Sequence, residues 1–467
     1  MKFNSIRVIL IFSTVVFLSS CLGTTDVTTS STDASFSSLT FKTNDSVPNQ
    51  SKAVFSLEYD SQINDSIIVN LDSLPYNTLI NIVYPTFTFK SSASAYIIYT
   101  DTPDTVAITG TDTINFSRPL KIRNVPADGD IKKSREYIVK VNVHKVEPEL
   151  YVWKQLTESV ESDNAASQKT IWFKNQLYYF LNNGSAAFLY TSANGTSWTS
   201  KTLSGFPINS ALGDMLQFAG KLYLSQDGAK IYSSADGLSW TNKIMTEYTF
   251  KSLLFDFDSK IWAVVQSISD SKLRFANSTD GDTWIVRGEI PTNFPVRDFA
   301  SISFTTRNGK PKVLVIGGYS SDNTLLKNRW SSEDGMQWYD FSTENHSLDS
   351  LAVAASVISY DDKLLLFGGI NRDNQIVGEY YRQSIDEGLS WQAPDTIYNR
   401  LREPIITKVP GTDKDTVASY INFQPRNYQS VVLDNSDRIY VVGGKTNTKV
   451  LSDVWTGKLN RKNFIRQ

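Results

Sequence analysis

Thiol and imidazole groups are almost missing from this chain of 467 residues, which has one cysteine, Cys21, and two histidines, His144 and His346. A disulfide framework needs cysteines in pairs, and zinc or copper sites need His, Cys and carboxylates at ligand spacing. Neither a metal nor any other cofactor is therefore expected. Ser/His/Asp catalysis is disfavoured for the same reason, because His346 falls in a polar stretch with no serine motif to serve. An excess of either charge is also lacking. Lys and Arg number 46 against 48 Asp and Glu, a net charge of -2, whereas a nucleic-acid partner calls for a basic surface. The one continuous apolar run, Val8 to Leu18, is too short for an ordinary membrane span. Helical periodicity is not legible beyond it, while aromatic residues make up 12% of the chain and suit pleated, half-buried strands.

What is present is a phrase repeated five times. Ser192 to Trp198 reads SANGTSW, Ser234 to Trp240 SADGLSW, Ser278 to Trp284 STDGDTW, Ser332 to Trp338 SEDGMQW and Ser384 to Trp391 SIDEGLSW. A Ser and Asp pair bonds its own backbone to close a tight turn, Gly supplies a positive φ, and Trp opens the next strand with a large ring to bury. Successive tryptophans lie 42, 44, 54 and 53 residues apart, the length of one four-stranded blade. The phrase resembles the Asp-box of sialidases, xyloglucanases and other bacterial propellers, S-x-D-x-G-x-[ST]-W. Only the fifth copy has the full spacing, and the first carries Asn194 in place of Asp. That resemblance implies a hairpin between the two outer strands of a blade, far from the central channel. Asn194, Trp198, Asp236, Trp240, Asp280, Trp284, Asp334, Trp338, Asp386 and Trp391 are accordingly read as structural.

Apolar strands ending in a Gly pair, at Gly317-Gly318, Gly368-Gly369 and Gly443-Gly444, resemble kelch-type blades. Leu326 to Trp330 (LKNRW) and Leu451 to Trp455 (LSDVW), 125 residues apart, read as equivalent strands. Phe294 to Ser301 likewise resembles Phe423 to Ser430, which makes Arg297 the counterpart of Arg426. Inner strands beginning near residues 170, 211, 251, 298, 351 and 427 make six blades. A ring must close to remove its two exposed edges. Tyr151 to Leu156 (YVWKQL) looks like the missing outer strand of the last blade, and the C-terminal segment with Phe464 is the alternative.

The N-terminus indicates a compartment. Lys2 and Arg7 precede the apolar run, which ends Leu18-Ser19-Ser20-Cys21 and resembles a bacterial lipobox, whose cysteine receives lipid. Residues 1–21 are read as a lipoprotein signal peptide with Cys21 as the lipidation site, and 22–35 as a flexible tether. The expected location is the bacterial cell envelope, with the outer membrane as partner through the lipid.

Alternating apolar residues at 55–59, 67–71 and 137–143, separated by turn-forming clusters, suggest an immunoglobulin-like sandwich. The fold class is thus all-β: an N-terminal immunoglobulin-like β-sandwich at 36–148, followed by a six-bladed kelch and Asp-box β-propeller at 149–467. With Asp72 to Thr78 (DSLPYNT) and Pro85 to Phe89 (PTFTF), this layout resembles a family of Bacteroidales-type lipoproteins that carry the same two modules. The resemblance implies no particular activity.

Two classes of function follow. Long loops at 319–327, 370–379 and 445–450 and an insertion at 394–425 share one face of the ring, the usual place for recognition. Tyr319, Arg372, Asp373, Arg426 and Arg297 are the candidate ligand-binding residues there. The first class is a binding or scaffold protein that recognises a glycan or a protein partner. The second is a glycan-active propeller enzyme of sialidase type, which needs three arginines around a carboxylate, a Tyr/Glu nucleophile pair and an Asp acid. Phe294-Pro295-Val296-Arg297 resembles the F-R-I-P arginine motif, but its Arg follows the Pro. No carboxylate pair stands out. Galactose oxidase, also a kelch-type propeller, is excluded because it needs a Tyr-Cys crosslink and two His ligands on copper. Arg297 and Arg426 have a second reading as strand anchors that bond neighbouring carbonyls.

Overall fold

The computed structural model describes residues 30–160, 165–208, 211–226, 230–342, 353–371, 373, 375–392, 395, 398–410 and 415–463. Cys21, His346, Arg372 and Phe464 lie outside them. The chain divides into two compact units, Met1–Glu147 and Pro148–Gln467.

In the first unit, Phe36–Phe41 pairs with Pro85–Phe89 as a two-stranded sheet. A six-stranded sheet runs in the order Ser56–Asp60, Asp65–Val69, Arg135–Lys140, Leu120–Val125, Ser94–Tyr99, Thr105–Ala107. Strand periodicity sends Leu39, Phe41, Ile68, Ile97, Ile122 and Val139 into one shared core. The division into two and six strands, with Asp65–Val69 and Arg135–Lys140 parallel, departs from the balanced antiparallel sheets expected of an immunoglobulin sandwich. The end of the expected tether also differs. Ala34 is buried, its carbonyl accepts from Asn124 Nδ2 at 3.1 Å, and the Ser35 carbonyl accepts from Lys90 N at 2.8 Å. A small side chain and two satisfied carbonyls seat 33–35 on the first unit, while 22–29 lie outside the described residues.

In the second unit, successive strands make each sheet. Sheet 1 is Ser167–Phe173, Gln176–Asn182, Ala187–Ser192 and Thr199–Lys201; sheet 2 is Leu212–Phe218, Lys221–Gln226, Lys230–Ser234 and Thr241–Lys243. Sheet 3 is Tyr248–Phe257, Lys260–Ser267, Leu273–Ser278 and Ile285–Glu289; sheet 4 is Ala300–Thr305, Pro311–Ile316, Arg329–Ser332 and Tyr339–Asp340. Among the described residues sheet 5 has three strands, Ser356–Tyr360, Lys363–Phe367 and Arg382–Ser384, with an isolated Gln383–Gln392 bridge where a fourth would lie. Sheet 6 joins Ser430–Leu433, Ile439–Lys445 and Val450–Leu459 to Tyr151–Thr157, the first strand of the unit.

Each sheet is apolar on both faces and packs on the next. Phe180, Leu222 and Trp240 fill the space between sheets 1 and 2, and Ile231, Leu253 and Val265 that between 2 and 3. Trp262, Phe275 and Trp330 join sheets 3 and 4, and Leu314, Leu366 and Trp391 join 4 and 5. Trp153, Phe367 and Trp455 join sheets 5 and 6, and Leu177, Tyr179, Tyr440 and Val454 bring sheet 6 back onto sheet 1. The series returns to its start, so the sheets form a closed β-propeller.

In sheets 1 to 4 the repeated phrase turns between the third and fourth strands, and in sheet 5 it leads from the third strand to the isolated bridge. In SADGLSW, Gly237 N donates to Ser234 Oγ at 2.8 Å, Leu238 N and Ser239 N donate to Asp236 Oδ1 at 2.7 and 2.8 Å, and Trp240 Nε1 donates to Gly237 O at 3.0 Å. Asn194 accepts the same pair of amides at 3.0 and 3.1 Å. Trp240 and Trp391 are buried, while Trp198, Trp284 and Trp338 are half-buried. Each phrase glycine also faces the second strand of the preceding sheet. A Cβ on Gly237 would lie 2.6 Å from Tyr178, on Gly335 2.6 Å from Trp262, and on Gly195 3.0 Å from Tyr440 across the closure. At Gly281, where φ is +76°, a Cβ would collide with the Tyr223 ring, whose hydroxyl donates to Asp280 O at 3.1 Å. The turn is thus also an inter-sheet contact.

Candidate functional site at the channel mouth

Where the innermost strands begin, the sheets surround a cavity of about 660 Å³. Lys169, Asp214, Lys251, Asp298, Ala355 and Tyr428, one from each sheet or the segment leading into it, lie on its wall. Loops between second and third strands add Asn323 and Ser320, and Lys445 ends a second strand.

A backbone device holds part of this rim. Asp298, Ala354 and Tyr428 each take φ of +54°, a left-handed conformation that costs a residue with a Cβ about 1 kcal/mol. Ala354 N donates to Asp298 O at 2.8 Å, and Tyr428 N to Ala354 O at 2.9 Å, so hydrogen bonds running from sheet to sheet hold the strained positions.

Arg297 stands exposed on the rim. Its guanidinium lies 4.0 Å from the Tyr319 ring centroid and donates to Asp298 Oδ2 at 2.6 Å and Asn323 Oδ1 at 3.0 Å. Tyr319 is half-buried beside Val353, Leu325 and Tyr428 and serves as the platform beneath Arg297. Lys445 Nζ donates to Ala166 O at 2.7 Å and lies 5.4 Å from the Tyr428 ring centroid. Burial lowers the Lys445 pKa, an effect that Asp298 opposes. Burial also pushes the Tyr428 hydroxyl up, and the facing Asp298 carboxylate adds to that. The Asp214 carboxyl is pushed up to about 6 by desolvation, against the pull of Lys169 and with some help from Asp298.

Arg426 does not belong to this site. It is fully buried, its guanidinium held by Asp453 at 2.5 and 2.9 Å and donating to Gly443 O and Gln424 O at 3.0 and 2.9 Å. The cause is register. Ala300 pairs with Ile316 just before one Gly pair and Ser430 with Val442 just before another, so the counterpart of Arg297 is Asn427 and that of Arg426 is the buried Val296. A one-residue offset turns a strand side chain to the opposite face. The second reading, an anchor bonded to carbonyls, describes Arg426 and not Arg297.

The model described as the DUF6242 beta propeller domain matches residues 147–467, and that described as the DUF6242 N-terminal domain, a domain of unknown function, matches 22–141. The chain belongs to the DUF6242 family. No curated protein matches it. A solved structure described as "Structure of YjhT" is 12% identical, with 64% of this chain and 96% of that one covered at a TM-score of 0.42.

In this DUF6242 propeller, two further expectations for the loop face change. Asp373 is exposed in a turn where its N–H donates to Asn371 Oδ1 at 3.0 Å, and it does not line the cavity; Arg372 beside it lies outside the described residues. The insertion contains a hairpin, Arg402–Lys408 against Asp415–Asn422, and none of its described residues lines the cavity. Its base is fixed by buried Leu401 and Phe423 and by Gln155 N donating to Glu403 Oε2 at 2.8 Å. Among the described residues no group of three His, Cys, Asp or Glu is placed to hold a metal ion. The site residues that sequence reading missed are Lys169, Asp214, Lys251, Asp298, Tyr428 and Lys445. Asp298 and Tyr428 fall inside the two similar segments, one and two positions after their arginines. Lys445 follows the Gly443-Gly444 pair at the start of a loop expected on that face, and Lys169, Asp214 and Lys251 sit in no motif.

Proposed function

We propose that the propeller is a binding module that takes a polar ligand such as a glycan at its channel mouth. In this reading the ring has six kelch and Asp-box-like blades, the N-terminal immunoglobulin-like unit acts as a spacer, and a lipid on Cys21 anchors the whole to the cell envelope. The observation that carries it is the cavity of about 660 Å³, which has the size of a small-molecule site, is lined from every sheet and draws charged or aromatic groups from all but the fifth. Tyr428 offers a ring face to a sugar, while Arg297 and Asn323 offer hydrogen-bond donors. A glycan array on the full chain, followed by titration calorimetry of any hit, tests this. Saturable binding that is lost in Arg297→Ala and Tyr428→Ala supports it. Hits that bind both variants unchanged would move the site elsewhere.

One observation favours a second reading, a glycan-active enzyme. A carboxyl with a value of about 6, as at Asp214, can give or take a proton near neutral pH, as a general acid requires. Turnover of an array hit that stops in Asp214→Asn while binding persists would select this reading.

A further inference from the structure

Charge is shared unevenly around the mouth. Four cations, Lys169, Lys251, Arg297 and Lys445, face two carboxylates, Asp214 and Asp298. Arg297 pairs with Asp298 at 2.6 Å, and Lys169 is the cation that acts on Asp214. Lys251 and Lys445 are left with no carboxylate in ion-pair contact among the described residues. This local excess of positive charge stands in a chain whose net charge is -2. A concave wall of low polarisability focuses such a field into the cavity. Lys445 already bears the cost of burial, which an arriving anion would offset.

We infer that the mouth selects a small oxyanion-bearing ligand, of the class of a hexuronate or a sulfated sugar, held chiefly by Lys251 and Lys445. The inference rests on the channel-mouth reading above and adds the charge of the ligand. A cavity of about 660 Å³ suits one or two sugar-sized groups better than a protein surface. The titratable groups that line the cavity with Asp214 are Lys169, Lys251, Arg297, Asp298, Tyr428 and Lys445, of which Lys169 and Asp298 act on it directly. Protonation of Asp214 as pH falls through about 6 removes one negative charge from this set, so anion binding should tighten from pH 8 to pH 5.5.

The test is titration of the full chain with sodium D-glucuronate, D-glucose and sodium sulfate at matched ionic strength. Glucuronate should bind at least about tenfold more tightly than glucose, and the binding should weaken as salt rises. Lys251→Glu, at an exposed position that tolerates the change, and Lys445→Met should each weaken it about fivefold or more with melting unchanged. Asp214→Asn should flatten the pH dependence. Sulfate binding tighter than glucuronate would keep the inference and assign the anion to a sulfate ester. Equal binding of glucose and glucuronate, indifference to both lysine variants, or no binding of either anion would overturn it. A neutral glycan captured at the mouth and lost in Tyr428→Ala would also overturn it, while leaving the binding-module reading intact.

Discussion

Arg297 and Arg426 show how far one residue of register reaches. Both follow a Phe by three positions, yet one stacks on Tyr319 at the rim and the other is sealed in the wall against Asp453. Asp214 poses the opposite problem, a carboxylate that its surroundings disfavour. Its folded value, about 6, lies above the ordinary 3.8, so the folded state holds the proton more tightly than the unfolded chain. The associated stability is fully present below pH 3.8 and is lost as pH rises through about 6. Asp214→Asn should therefore stabilise the protein at pH 8 by on the order of 1 to 3 kcal/mol and leave it unchanged at pH 3.5. Urea midpoints at the two pH values check this, and an equal gain at both would assign the effect to something other than ionisation.

At the scale of elements, the phrase turn closes a hairpin and spaces one sheet from the last. Trp240 is buried between Phe180 and Phe206, with ring centroids 5.6 and 5.1 Å away. Trp240→Ala is expected to cost about 3 to 5 kcal/mol by thermal or denaturant melting. Asp236→Ala should cost about 1 to 3 kcal/mol through its orphaned amides. Asp236→Asn should cost little near pH 7, because Asn194 accepts the same two amides. Backbone hydrogen bonds from Ser239 and Leu238 hold the Asp236 carboxylate below its usual range. Its contribution is thus present above pH 3.8 and fades as pH falls through the lowered value. Gly281→Ala should be destabilising by about 2 kcal/mol or more, combining a left-handed φ with overlap onto Tyr223. Leu314 occupies the position facing Gly388, so Tyr223→Leu should recover part of that loss in a double-mutant cycle. Additive losses would mean that the two residues do not oppose each other.

For the whole molecule, closure comes from Tyr151–Thr157 pairing with Val450–Leu459, which joins the two ends of the propeller unit in one sheet. The hairpin at 402–422 takes no part in closure beyond its base, and Ile405, Ile406, Val417 and Tyr420 are exposed. Excising 405–419 should leave melting and channel-mouth binding unchanged, since loop-closure cost varies slowly with length. Loss of binding in the folded, excised protein would return the insertion to the site. On the anchoring proposal, Cys21→Ser should release soluble protein or leave unprocessed precursor, as stable membrane binding would rest on the lipid. Fractionation with mass spectrometry of the N-terminal peptide decides it, and unchanged membrane association without lipid would end the anchoring proposal.

The repeated turns were legible in the sequence because their hydrogen bonds lie within a few residues of one another, as from Ser234 to Gly237 and from Asp236 to Ser239. Strand period and tryptophan spacing then set the succession of sheets, and the need to cover two edges singled out Trp153 and its neighbours. The mouth was not legible. Lys169, Asp214, Lys251, Asp298, Tyr428 and Lys445 come from five of the six sheets or the segments leading into them and meet only when the ring closes. No local pattern encodes that meeting, nor the one-residue offset that parts Arg297 from Arg426. Nor does any short window pair Gly281 with Tyr223, 58 positions earlier. Turn chemistry acts through neighbours in the chain and can be read from them, whereas burial, register and the field in a cavity depend on what the closed ring brings together.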